Sequence, residues 1–214
     1  MSKAKSNVTA DFVLPIVVLV LICAVMSGLL AVTNNITAPI IDAAEKAANA
    51  AARLEVLPQA NDFNENTEDF NEITGVEGLP DAVTGVFKAN NGAGYTFSIV
   101  AQGYGGKGTL KMAVGIDMDG KITGVKVLDH KETAGLGSKI KTDASFYGQF
   151  PGKDAGYVSD IKNIDTISGA TRSSNFYRLA LTYAFEAFDM VNDPTALNDG
   201  SGDPDFAVDP AKEG

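Results

Sequence analysis

What this 214-residue sequence lacks removes several kinds of redox and metal chemistry at once. Its one cysteine, Cys23, excludes a disulfide within the chain, a Cys-ligated iron–sulfur cluster and a CxxC redox pair. Its one histidine, His130, excludes a multi-His zinc site and a C-x-x-C-H haem attachment, and no metal site is expected. Basic residues are also few: 17 Lys and Arg stand against 27 Asp and Glu, a net charge of −10. That is the wrong sign for a nucleic-acid binder, which must neutralise phosphates. No internal repeat is visible, and the length suits one ordinary domain with appendages, or two small ones.

Charge is absent altogether from residues 12–41. Within that stretch, residues 12–33 read FVLPIVVLVLICAVMSGLLAVT, which as a helix spans roughly 33 Å, close to the hydrocarbon thickness of a bilayer. Two readings exist, a cleaved signal peptide and a retained single-span anchor. The run is longer than the usual h-region and no A-x-A site follows it, which favours the anchor. Lys3 and Lys5 precede the span, and the next basic residue is Lys46. The positive-inside rule then puts residues 1–11 in the cytoplasm and everything after the span outside, in a cell (inner or plasma) membrane.

Residues 38–58 (APIIDAAEKAANAAARLEVLP) predict an exit helix within a segment 34–58, opened by Pro39 and stopped by Pro58. An acidic stretch, residues 59–93, predicts short strands and loops. Residues 95–101, 109–117 and 121–129 are β-rich, and Met118-Asp119-Gly120 suits a tight turn between the last two, giving an antiparallel meander. Residues 173–191 predict a helix. Phe176, Leu179, Ala180, Tyr183, Ala184 and Ala187 form its core-facing stripe, and Ser173 or Ser174 is its natural N-cap. Residues 192–214 carry six acids and three prolines without periodicity, as a solvated acidic tail does. The fold class is α+β: a membrane helix, then a domain spanning residues 59–191 in which helices cover an antiparallel sheet.

Three motifs bear on chemistry. Gly103-Tyr-Gly-Gly-Lys-Gly108 matches G-x-G-x-x-G, but a strand rather than a helix follows it, so a hairpin loop is expected in place of a dinucleotide site. His130, Glu132 and Ser138 contain the elements of a triad, yet they crowd one turn and lack a G-x-S-x-G elbow. A polar turn is the expectation, and no catalytic nucleophile is assigned. The third motif, Asp165-Thr-Ile-Ser168-Gly169-Ala170-Thr171-Arg-Ser173-Ser174, lies at a strand-to-helix turn. Gly169 and Ala170 are too small to shield the backbone. Thr171 sets a hydroxyl beside free N–H groups and the positive end of a helix dipole, which favours a phosphate. The same residues also read as an N-cap cluster that merely satisfies backbone donors.

DTISGATRSS resembles the D-x-x-[ST]-G-A-T-x-[ST] flavinylation motif of the FMN-binding domain family. GYGGKG and HKETAGLGSKI are similar to that family's G-Y-G-G and E-T-P-G-L-G signatures, in the same order. Ala134 stands where the family usually has proline. With the anchor and exit helix, residues 12–191 resemble the G subunits of Rnf-type ion-translocating electron-transport complexes. Close cousins are the C subunits of sodium-pumping NADH:quinone reductases. The resemblance implies FMN joined to Thr171 through a phosphoester, attached by a separate flavin transferase that recognises Asp165, Ser168, Gly169, Ala170 and Thr171. It places Glu132, Thr133, Leu136 and Gly137 near the isoalloxazine, with Leu136 as an apolar wall, and Lys139 near the flavin or its phosphate. The partners implied are the lipid bilayer, the other subunits of the complex and the transferase. The function implied is an electron relay in an ion-translocating ferredoxin:NAD oxidoreductase. The quinone-reductase circuit or another extracytoplasmic flavin chain is a second possibility, and an anchored, non-redox binding module a third.

Overall fold

The computed structural model describes residues 13–60 and 69–192. The readings that rest on Lys3 and Lys5, on residues 61–68 and on the tail from 193 onward lie outside the described residues. The chain divides into two compact units, Met1–Ala48 and Asn49–Gly214.

The first unit contains most of helix α1 (Leu14–Val56), the one helix among the described residues long and apolar enough to cross a membrane. Its apolar side chains from Val13 to Ile41 are exposed in the isolated chain. Thr33 and Thr37 donate their hydroxyls to the carbonyls of Leu29 and Thr33, both at 2.9 Å, so neither adds an unpaired donor to this apolar stretch. Pro39 does not open a second helix. It lies inside α1, which runs on without a break. A proline there removes one helical hydrogen bond, a defect that membrane helices tolerate because neighbouring groups re-satisfy the freed backbone.

In the second unit a five-stranded antiparallel sheet follows the simple order β1-β2-β3-β4-β5. The strands are β1 (Phe70–Ile73), β2 (Val83–Ala89), β3 (Gly94–Gly103), β4 (Gly106–Asp117) and β5 (Ile122–His130). The expected turn joins β4 to β5. Gly120 takes φ +72°, a conformation glycine reaches without strain, and Asp117 accepts from the N–H groups of Asp119 (3.0 Å) and Lys121 (2.8 Å).

Alternation along the strands sorts side chains to two faces. One face carries Tyr95, Phe97 and Ile99 with Leu110, Met112, Val114 and Ile116 into the main core, against helix α5 (Thr171–Asn192). The other face receives the end of α1. Ala52 and Val56 pack with Ala113, while Leu57 and Ala60 pack with Ala89. The cross-strand pair Gly115 and Gly124 makes this approach possible. A Cβ on Gly115 would stand 2.3 Å from the Val56 carbonyl oxygen, and one on Gly124 would stand 2.9 Å from Val56 Cα. Gly115→Val should therefore push the helix end off the sheet and destabilise the domain by about 1–3 kcal/mol, read as a fall of several degrees in Tm.

Three one-turn helices, α2 (Lys139–Thr142), α3 (Ala144–Tyr147) and α4 (Ala155–Ser159), close the side of the core between β5 and α5. Asp143 and Asp154 cap α3 and α4 by accepting from Ser145 N and Tyr157 N. Phe146, Phe150 and Tyr177 pack ring on ring with centroids 5.1–5.6 Å apart. Arg178, almost fully buried, donates Nη1 to the carbonyls of Val158 and Ser159, both at 3.1 Å, tying α5 to the end of α4. Burial draws its guanidinium pKa down, and nearby Asp160 partly restores it.

Candidate functional site

Helix α5 starts two residues earlier than its sequence pattern suggests. Its first backbone bond runs from Ser174 N to the Ala170 carbonyl, at 3.0 Å, so the N–H groups of Thr171, Arg172 and Ser173 precede the hydrogen-bonded ladder. Neither Ser173 nor Ser174 is the N-cap. Both lie within the first turn, and their hydroxyls are spent on holding loops. Ser174 Oγ accepts from Ile167 N at 3.1 Å and donates to the Ala170 carbonyl at 3.1 Å. Ser173 Oγ donates to Glu132 Oε2 at 2.5 Å.

The loop leading into α5 is pinned from behind at both ends. Gln149 accepts from Asp165 N at 2.9 Å and donates to the Asp165 carbonyl at 3.1 Å, while Ser174 holds Ile167. Ile167 and Ala170 are buried in the main core, and Gly169 turns the chain with φ +78°. What remains outside is Asp165, Thr166, Ser168, Gly169, Thr171 and Arg172, all exposed. The Thr171 hydroxyl has no hydrogen-bond partner among the described residues. Ala170 departs from the expected open backbone, because the residue is only 7% exposed and packs in the core.

Glu132 joins this helix start to two loops far away in sequence. Its Oε1 accepts from Tyr104 N at 2.8 Å in the β3–β4 turn, and its Oε2 accepts from the Ser173 hydroxyl. Glycines are required around it. A Cβ on Gly103 would lie 2.5 Å from Glu132 Oε1, and one on Gly137 would lie 2.7 Å from Ser173 Oγ and 2.9 Å from Glu132 Oε2. The small residues of both glycine-rich motifs thus make room for one carboxylate.

The turn after Glu132 is organised by the Thr133 carbonyl, which accepts from Leu136 N (3.3 Å) and Ser138 N (3.1 Å), with Gly135 at φ +77°. It delivers Leu136, 46% exposed, to within 3.5 Å of where a Gly169 side chain would begin. His130 Nδ1 accepts from Glu132 N at 3.3 Å, and Ser138 Oγ accepts from Gly135 N at 3.0 Å. These three polar residues organise a turn, and among the described residues no bond joins the serine to the histidine. Residues 103–108 form the expected hairpin loop, with Gly103 paired to Gly106.

Residues 103–186 match the model of the FMN-binding domain family. The chain is 36% identical over 169 residues to the G subunit of the ion-translocating oxidoreductase complex of Methanosarcina acetivorans, covering 74% of this chain and 85% of that protein. The chain belongs to the family of G subunits of ion-translocating oxidoreductase complexes. In Acetobacterium woodii the relative is the G subunit of the Na(+)-translocating ferredoxin:NAD(+) oxidoreductase complex, 34% identical over 191 residues, or 82% of this chain and 90% of the relative. The corresponding G subunit of Pasteurella multocida is 35% identical over 144 residues, covering 65% and 68% of the two chains.

The site suits the phosphorylated flavin that this family's domain binds. An unbonded hydroxyl on an exposed first turn, unbonded N–H groups, the adjacent Arg172 cation and the exposed Leu136 offer polar contacts and positive charge to a phosphate and an apolar surface to a ring. Leu136 lies against Gly169, two residues before Thr171, and Glu132 and Gly137 meet Ser173, two residues after it. Thr133 shapes the turn through its carbonyl. Lys139 opens α2 as an exposed side chain, and its charge is felt at Asp143. Sequence reading missed Tyr104 and Gln149 as parts of this arrangement, and it gave Ser173 the role of a cap instead of a partner of Glu132. The GYGG motif pointed to the first and the last Ser/Thr position of the DTISGATRSS motif to Ser173, while nothing in the spacing signalled Gln149.

Proposed function

We propose that this chain is a membrane-anchored electron-relay subunit carrying FMN covalently on Thr171 within an ion-translocating ferredoxin:NAD oxidoreductase complex. The observation that carries this reading is the Thr171 hydroxyl, exposed and unbonded at the start of a helix, while the neighbouring Ser173 and Ser174 hydroxyls are committed to Glu132 and to the Ile167–Ala170 loop. Attachment forms a bond from Thr171 Oγ1 to the FMN phosphorus and releases the hydroxyl proton. The bond broken is the one joining that phosphorus to the leaving group of an activated flavin donor. The exposed Asp165, Ser168 and Gly169 are the surface that a flavin transferase reads in this proposal, with Ala170 contributing backbone shape.

Bound FMN supplies one- and two-electron chemistry that no side chain here provides. The chain's own residues hold the phosphate end at the α5 N-terminus, keep that turn rigid through Glu132, Ser174 and Gln149, and set Leu136 as an apolar wall. We further assign the N-terminus to the cytoplasm and the FMN-binding domain to the outer side of the membrane, from the lysine asymmetry around the span. The protein coexpressed with a flavin transferase should be yellow, with flavin fluorescence that survives denaturation and gel separation. A colourless product in a host that flavinylates a control protein would contradict the assignment.

A further inference from the structure

Among residues 69–192 four large apolar side chains are exposed: Tyr104 (59%), Leu136 (46%), Met118 (45%) and Tyr147 (36%). Met118 occupies the β4–β5 turn and Tyr147 ends α3. The two most exposed both flank the Thr171 turn. Leu136 lies beside Gly169, and Tyr104 lies beside Arg172, whose guanidinium carbon is 5.8 Å from the Tyr104 ring centroid and 5.6 Å from that of Phe176. Exposure of so large a ring gains nothing for the fold, since the core does not use it.

The ring is nonetheless carried on a rigid turn. Tyr104 N is bonded to Glu132, and a Cβ on Gly105 would strike Lys131 Cβ at 2.9 Å, so the β3–β4 turn is packed tightly on the strand leading to Glu132. Arg172 adds a cation–π link from the residue next to the attachment atom. An exposed aromatic ring on a turn that Glu132 links to the start of α5 has the chemistry to cover a flat aromatic ligand.

Building on the assignment of FMN to Thr171, we propose that Tyr104 is a flavin-positioning residue, packing its ring on the isoalloxazine. Leu136 supplies a separate apolar contact, and Arg172 holds the Tyr104 ring beside the attachment atom. A stacked phenol donates an electron to photoexcited flavin and so quenches its fluorescence. A phenyl ring covers the same surface but is far harder to oxidise.

The test uses the full chain in detergent, loaded by its flavin transferase, with iodide as a probe of access to the ring. The wild type should be several-fold dimmer than free FMN and protected from iodide. Tyr104→Phe should be several-fold brighter than wild type yet still protected, and Tyr104→Leu should be both bright and open to iodide. Arg172→Gln should fall between wild type and Tyr104→Leu in both readouts. If Tyr104→Leu is not loaded, the nearly isosteric Tyr104→Phe decides alone. A loaded wild type with variants equally dim would overturn the stacking while leaving Thr171 as the attachment site. An unloaded wild type would overturn both.

Discussion

Thr171→Ala is expected to give a folded, membrane-inserted and colourless protein. The threonine side chain is exposed and bonds to nothing among the described residues, so its removal leaves no buried group unpaired. Alanine is the better helix former, and a surface change of this kind moves stability by about 0.5 kcal/mol or less. The melting curve should therefore overlay that of the apo wild type, while covalent flavin falls to zero. Thr171→Ser keeps a hydroxyl at the same position in the first turn of α5 and should retain attachment. Covalent flavin on the alanine variant would place the linkage on another residue.

Glu132→Ala is expected to act in the opposite way, through the fold of the site. It strips a charged acceptor from both Tyr104 N and Ser173 Oγ, and it empties the space that Gly103 and Gly137 leave for the carboxylate. Hydrogen bonds to charged groups contribute about 1.5–3 kcal/mol each, and solvent access at this half-buried position reduces that. A loss of about 2–3 kcal/mol follows, with Tm lowered by roughly 5–15 °C. Flavin loading should drop severalfold, because the β3–β4 turn and the start of α5 no longer share a fixed partner. Glu132→Gln retains the side-chain volume and an acceptor for one of the two bonds, and should recover part of both losses. Thermal melting and the ratio of flavin to protein absorbance check this prediction.

These two residues mark what was legible in the sequence. The exposed hydroxyl turn at Thr171 was readable because its motif is contiguous: small residues, a hydroxyl and a helix start. The β4–β5 hairpin was readable for the same reason, through Asp119-Gly120 and the β-rich runs on either side. The role of Glu132 was not, since its partner Ser173 is 41 positions away and the bond exists only once the sheet has formed. The same cause moved the start of α5. Ser173 and Ser174 have the side chains of caps, but tertiary partners claim them, and the Ala170 carbonyl accepts the first helical bond instead. Short elements lacked the period that would fix their bounds: β1 is four residues at the sheet edge, inside the stretch expected to hold short strands, and α2, α3 and α4 are one turn each. Pro39 misled in the usual direction, because a helix breaker in water is admissible where a helix runs through an apolar stretch.

The central claim is that one hydroxyl, on Thr171, carries the cofactor. The most direct measurement is the intact mass of the denatured chain, coexpressed with its flavin transferase, followed by peptide mapping. The predicted result is a single addition equal to FMN less one water, confined to the peptide containing Thr171. An unmodified mass in a host that loads a control protein, or the same addition on a different residue, would contradict it.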